Sequence, residues 1–238
     1  MNKSLAYLTL LLSIAFAAAP LFSGDFTGFS ADQLPVPQID PPVQPAGYAF
    51  AIWGPIYAWL VASAVFGLLR RATDPEWTAA RVPLCMSLGV GVPWLLIAQI
   101  SAIWATITIV VMAVTAIAAL NRTPVRDRWW LRAPIALYAG WLTAASFVSL
   151  ATTLAGYGIL FDAYGWAFAG IAGALTVAIA TYRRTAAPVY FASIIWALAG
   201  IVVANGMTNF LVTALAITGI IVLICVMAVW APQGNRTV

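Results

Sequence analysis

Residues 82–120, VPLCMSLGVGVPWLLIAQISAIWATITIVVMAVTAIAAL, carry no charged side chain and run to nearly twice the length of one bilayer crossing. A transmembrane helix takes about 20 apolar residues to cover about 30 Å of hydrocarbon, so this run must turn back on itself. Its most polar short interruption, Gln99-Ile100-Ser101, marks the turn. Residues 188–230 pose the same problem, and Asn205-Gly206-Met207-Thr208-Asn209 supplies the turn chemistry there. Spans at 5–22, 47–69, 131–154 and 164–180 stand alone. The expectation is an all-α integral membrane protein of about eight transmembrane helices.

Composition agrees. Of 238 residues, 63% are hydrophobic and 8% charged, against about 25% charged in soluble domains. The net charge of +4 is no nucleic-acid signal, because the basic residues are scattered among loops. With eight crossings, one face receives Lys3, Arg70, Arg71, Arg81, Arg122, Arg126, Arg128, Arg132, Arg183, Arg184 and Arg236, which is every basic residue. The opposite loops hold Asp25, Asp32, Asp40 and Asp162 and no Lys or Arg. Cytoplasmic enrichment of Lys and Arg sets orientation, so both ends are expected inside, in a multi-pass protein of the cell inner (plasma) membrane. Merging either long run into one span would destroy this one-sidedness. The N-terminus also resembles a signal peptide ending at Ala17-Ala18-Ala19, but Pro20 directly after that site disfavours cleavage, and the segment is expected to stay as the first helix. Cys85 and Cys225 sit in apolar runs and read as packing residues.

Absences narrow the chemistry. There is no histidine, hence no histidine-ligated haem or histidine-bound metal. No ionisable group lies deep in an expected span, which argues against a proton-coupled pump and leaves no lysine for a retinal Schiff base. What remains is aromatic: eleven Trp, eight Tyr and eleven Phe. Trp77, Trp129, Trp130 and Trp230 fall at cytoplasmic span ends, and Trp104 and Trp166 near outer ends, where tryptophan commonly anchors the interface. Trp59 and Trp196 read as lipid-facing or packing residues. Trp53, Trp94 and Trp141 share a depth: Trp53 about two turns inward from the outer end of the second span, Trp94 in the outer half of the third, and Trp141 near the middle of the fifth. Above them the first outer loop carries Pro35, Pro37, Pro41, Pro42 and Pro45, a stiff segment suited to a lid. An aromatic cavity under such a lid suits a flat apolar ligand, although ordinary packing under a structured loop accounts for the same pattern.

Two segments resemble a known family. Pro41-Pro42, followed by Pro45-Ala46-Gly47-Tyr48-Ala49-Phe50-Ala51-Ile52-Trp53-Gly54-Pro55-Ile56-Tyr57, is similar to the loop-to-second-helix signature of the translocator protein family, the tryptophan-rich sensory proteins (TspO/MBR). In the fifth span, Tyr138, Trp141, Ala145, Ser146, Phe147, Val148 and Ser149 match that family's helix-five run. The resemblance implies a TspO-like five-helix core over 1–156 and a three-helix extension over 157–238. It also implies a cavity between the second, third and fifth helices, capped by loop 1, that takes porphyrins, haem, sterol-like molecules or synthetic ligands. Carried over, the candidate ligand-binding residues are Pro45, Trp53, Trp141 and Ala145, with Tyr48, Tyr57, Tyr138 and Ser149 as neighbours. Trp94 falls near the position where the family has an Asn in helix 3, and Thr108 stands where it often has an Asp.

The expected function is therefore a membrane receptor or sensor-like protein that binds a flat hydrophobic molecule, a tetrapyrrole (porphyrin or haem) or a sterol-like compound. Porphyrin or haem would be a ligand; no resident cofactor, metal site or catalytic residue is expected. The expected partners are the lipid bilayer and the hydrophobic small molecule, with no nucleic acid and a homodimer left open. The alternatives are a porphyrin-modifying, photo-oxidative membrane enzyme and a transporter or assembly partner that works through its last three helices. Small residues there, Gly165, Gly170, Gly173 and Gly200, permit close helix contact with a partner or within the chain. No acid or base is expected in the cavity, so proton-transfer catalysis has no evident agent and binding ranks first.

Overall fold

The computed structural model describes residues 3–23, 26 and 28–230. Eight helices among them are long and apolar enough to cross a membrane: α1 (Ser4–Ser23), α2 (Gly47–Arg70), α3 (Pro75–Ile100), α4 (Ala102–Leu120), α5 (Arg128–Gly156), α6 (Ala163–Thr185), α7 (Pro188–Asn205) and α8 (Phe210–Val229). Both long apolar runs turn where their polar interruptions stand. Ser101 leaves the helix in an extended conformation, and its side chain accepts the Trp104 N–H to start α4. Between α7 and α8, Gly206 takes φ +50°, a left-handed backbone that glycine adopts without a Cβ penalty.

Helix starts depart from the hydropathy boundaries where capping chemistry overrides them. The third helix begins at Pro75, well before residue 82, because Asp74 accepts from the Glu76 and Trp77 N–H groups and Pro75 occupies the first turn. Two turns are thereby added, and Arg81 moves from the expected loop into the helix, where it is buried. Its guanidinium donates to the Gly67, Arg71 and Ala72 carbonyls, closing the C-terminus of α2. Pro93 interrupts α3, which resumes at Trp94, as expected of a proline inside a helix.

The bundle is organised around α5. Seventy-two per cent of its apolar window is buried, against 28% for α2, α6 and α8, so α5 is the central element. It packs against α2, α4, α6 and α7, while α1 lies on α2 and α3, and α8 on α6 and α7. Helices in a bilayer gain no hydrophobic drive from one another; close packing and interhelical hydrogen bonds hold them. Ser87 links α3 to the Tyr138 hydroxyl at 2.9 Å, Thr106 meets Thr153 at 2.8 Å, and Thr143 meets Tyr190 at 2.8 Å. Each such bond contributes about 0.6 kcal/mol. Gly170 and Gly173 of α6 lie against Ala151 and Phe147 of α5, and Gly200 of α7 lies against Pro45, so these small residues serve packing within the chain. Gly165 backs onto Phe161 of its own approach loop.

Loop contacts sort into two faces. On the arginine-rich face, Asp127 accepts from Arg71 at 2.7 Å and from the Trp77 indole at 3.1 Å, and Arg126 pairs with Asp74. This clasp joins the α2–α3 and α4–α5 connections. The Arg71 hydrogen bond holds the Asp127 carboxyl below its ordinary range, so the Arg71–Asp127 pairing is intact at neutral pH and is lost only as pH falls through that depressed value. Trp77 is therefore a buried clasp residue, 1% exposed, and not the interface anchor its position near a span end suggests. Trp104, Trp129, Trp130 and Trp230 are exposed, as belt residues should be. On the opposite face loop 1 meets α3, α5 and α7. Asp25 and Arg236 lie outside the described residues.

The sidedness is testable by labelling. In a Cys85/Cys225-free background, single cysteines replacing the exposed Asp32 or Asp162 are expected to react with an impermeant maleimide on intact cells, and one replacing Arg126 is not. Outside labelling of Arg126→Cys would end the orientation derived from the arginines.

Candidate functional site

The proline-rich loop 1 is seated by a small set of hydrogen bonds, since proline has no N–H to give. Val36 donates to the Gly156 carbonyl at 2.8 Å, and Gln33 Nε2 to the Ala98 carbonyl at 3.0 Å. Ala46 donates to the Gly200 carbonyl at 3.0 Å, and Asn205 Nδ2 to the Pro42 carbonyl at 2.8 Å. Two glycines make the approach possible. A Cβ on Gly156 would lie 2.6 Å from Leu34, and one on Gly200 2.8 Å from Pro45. The loop is thus pinned to α3, α5 and α7, so a helix of the C-terminal part holds the roof of the outer face.

Beneath it lies a pocket walled by Trp53 and Phe50 from α2, Trp94 from α3, Ile109 from α4, and Trp141, Ala145, Ser149 and Thr152 from α5. Phe26, Phe29, Gln44 and Pro45 form the roof, and Ala197 of α7 closes the far side. Residues 141, 145, 149 and 152 recur at helical spacing, so one face of α5 presents them together. The rings meet mostly edge to face: Trp53 to Trp141 at 6.1 Å and 84°, Phe50 to Trp141 at 5.9 Å and 83°, Phe26 to Trp94 at 5.2 Å and 77°. Such contacts contribute about 0.5–1.5 kcal/mol each beyond burial.

Six of the nine sequence candidates line this pocket: Pro45, Trp53, Trp94, Trp141, Ala145 and Ser149. Three do not. Tyr57 stacks under Trp53 at 5.4 Å, one turn further in, against Phe16 of α1. Tyr138 lies one turn below Trp141, fully buried and bonded to Ser87. Tyr48 sits at the rim, 46% exposed, with its ring edge-on to Trp196 at 5.5 Å. Trp196 donates to the Ala49 carbonyl at 2.8 Å, so it braces the start of α2. Thr108 bonds back to Trp104 and Ala105 and is not among the lining residues. Phe26, Phe29, Gln44 and Ala197 were not anticipated, because a loop or a distant helix folding over a site leaves no local periodicity. Ala144, Val148 and Thr152 also line it and follow from the helical spacing once Trp141 is chosen.

Polar groups in the lining are few: the Gln44, Ser149 and Thr152 side chains and the Trp94 and Trp141 indoles. The Trp94 indole is satisfied by the Ala105 carbonyl at 2.9 Å. The Trp141 Nε1–H and the Thr152 hydroxyl are buried and have no hydrogen-bond partner among the described residues. Leaving a buried polar group unpaired costs about 1–3 kcal/mol, and such groups in a pocket wall are where a ligand's polar atoms are recognised. None of the lining residues is acidic or basic. The free space is about 50 Å³, room for only a few water molecules and well below the roughly 300–1,000 Å³ of pockets that hold drug-sized ligands. In this conformation the rings of the roof and walls fill one another's space, and a large flat ligand must displace Phe26 and Phe29.

A family model described as TSPO-like protein matches residues 2–230, running through all eight helices. No curated protein and no solved structure matches the chain.

Proposed function

The chain belongs to the TSPO-like protein family, a family of membrane sensor and binding proteins, and we propose that its ligand is a flat hydrophobic molecule, a tetrapyrrole first and a sterol-like compound second, held in the aromatic pocket under loop 1. The observation that carries this reading is the α5 wall, where the unpartnered Trp141 indole N–H and Thr152 hydroxyl stand in a largely aromatic lining whose other polar side chains are Gln44 and Ser149. A ligand suited to it has broad apolar faces for Trp53, Trp94 and Phe50 and an acceptor at its edge, as the carboxylates or carbonyls of a tetrapyrrole provide. Entry displaces the roof, whose aromatic residues then cover the bound molecule. With no ionisable group among the lining residues, binding is favoured over proton-transfer catalysis. We place the protein in the cell inner membrane, where the one-sided arginines turn the pocket toward the outer side.

The test is a titration of the full-length protein in nanodiscs with protoporphyrin IX, followed by quenching of tryptophan fluorescence. Trp141→Phe keeps the ring and removes the N–H, and it is expected to weaken binding about 5- to 10-fold, the value of one buried hydrogen bond. Trp104→Phe, at a position 62% exposed on α4, is expected to change nothing. Equal affinities for the two folded variants would return the pocket to ordinary packing.

A further inference from the structure

A second cavity, independent of the aromatic pocket, opens on the arginine-rich face. It lies between the entry to α5 and the α6–α7 connection and has a volume of about 440 Å³, far more than the outer pocket. Arg128 and Arg132 line it one turn apart, with Trp129 beside them and Ala133, Ala136 and Val189 as apolar wall.

Arg132 is set apart by being half-buried without a partner among the described residues; Arg70, Arg122, Arg183 and Arg184 also have no carboxylate partner among them, but they are exposed. Arg71 and Arg126 are held by Asp127 and Asp74, and Arg81 by three backbone carbonyls. Arg128 and Arg132 have no carboxylate or carbonyl partner among the described residues; Arg128 rests only on the Trp129 ring, at 5.3 Å. Arg132 is half-buried, and a partly desolvated guanidinium without a counter-charge is costly. The positive-inside rule places this face at the cytoplasmic leaflet, where anionic headgroups gather and basic pockets between helices bind them. Arginine forks match phosphate oxygens in paired hydrogen bonds.

We propose that this cavity is a binding site for an anionic glycerophospholipid of the cytoplasmic leaflet, its phosphate held by Arg128 and Arg132 and its glycerol and first acyl carbons lying along Ala133, Ala136 and Val189. The lipid supplies the counter-charge Arg132 lacks and ties α5, the central helix, to the α6–α7 connection. Zwitterionic lipid offers the same phosphate but pairs it with its own ammonium, so the site selects net negative headgroups.

The full-length protein is incorporated into nanodiscs of equal parts phosphatidylglycerol and phosphatidylcholine and extracted into mild detergent, and the lipids retained are counted by native mass spectrometry. The wild type is expected to retain phosphatidylglycerol over phosphatidylcholine by about 10-fold, a discrimination of the size that paired charge-assisted hydrogen bonds give. Arg128→Gln, at an exposed position that does not threaten folding, should lose part of this preference, and Arg128→Gln with Arg132→Gln nearly all of it. Arg183→Gln with Arg184→Gln removes the same charge from the same face and should retain it. No preference in the wild type, or an equal loss in both double variants, would overturn the site. Displacement of the lipid by millimolar glycerol phosphate would assign the cavity to free phosphate anions and overturn the lipid assignment.

Discussion

Gly140→Ala is expected to destabilise the protein by about 3 kcal/mol, the upper end of the usual cost of overpacking, and Gly140→Leu to leave no folded bundle. The reason is the closeness of α5 to α7. A Cβ at Gly140 would lie 2.2 Å from the Ser193 hydroxyl and 2.3 Å from the Tyr190 carbonyl oxygen. The hydroxyl can rotate away, but the carbonyl is backbone and already accepts from Ser193 at 3.0 Å. Relief requires the two helices to part, which also strains the Thr143–Tyr190 bond one turn away. Gly54→Ala is the control: nothing lies within 4 Å of a Cβ there, and alanine in a helix is worth up to about 1 kcal/mol over glycine. Thermal melting of both variants in the same detergent checks the pair. A Gly140→Ala protein that melts with the wild type would mean that α5 and α7 are not held at this distance.

The architecture was legible because bilayer thickness, apolar run length and arginine placement each constrain the same count of helices. The turn at Ser101 stands at the most polar short interruption of its overlong run, and the turn around Gly206 at the Asn-Gly-rich interruption of the other. The start of α3 lies outside the apolar run because capping, and not hydropathy, sets it. Asp74, Pro75 and Glu76 form a helix-start signal that extends the helix two turns beyond its apolar stretch, and this extension carries Trp77 and Arg81 into the interior.

The pocket was legible only in part. Trp53 and Trp141 are marked by the family-like motifs, and α5 periodicity adds Ala144, Val148 and Thr152. The misses have two causes. Tyr57 and Tyr138 belong to the motifs, but the pocket occupies only the outer half of the bundle, and the stack of Trp53 on Tyr57 forms its floor. The roof residues Phe26 and Phe29, and Ala197 across the pocket, arrive by tertiary contact, which spacing along the chain does not encode. The arginine cavity was equally hidden, since which unpaired arginine is also half-buried beside a cavity is decided in three dimensions.

Ala145→Leu is expected to act in the opposite sense to Gly140→Ala, abolishing ligand binding while leaving stability unchanged or raised. Ala145 lines the pocket one turn from Trp141, and leucine adds three carbons to about 50 Å³ of free space. Filling a cavity with apolar atoms commonly stabilises, whereas a flat ligand loses the surface it must lie against, and protoporphyrin affinity should fall by about 100-fold or more. The same variant separates a binding protein from a photo-oxidative enzyme. If the protein only binds, illuminating its porphyrin complex leaves the Soret band like that of free pigment under the same light. If Trp53 and Trp141 take part in chemistry, the pigment converts to a new product faster than in Trp53→Phe and Trp141→Phe. Saturable conversion that disappears in those variants and in Ala145→Leu would reverse the ranking of binding over catalysis. Unchanged pigment together with tight binding that Ala145→Leu removes would uphold it, because an added side chain then blocks occupancy of a site where no reaction occurs.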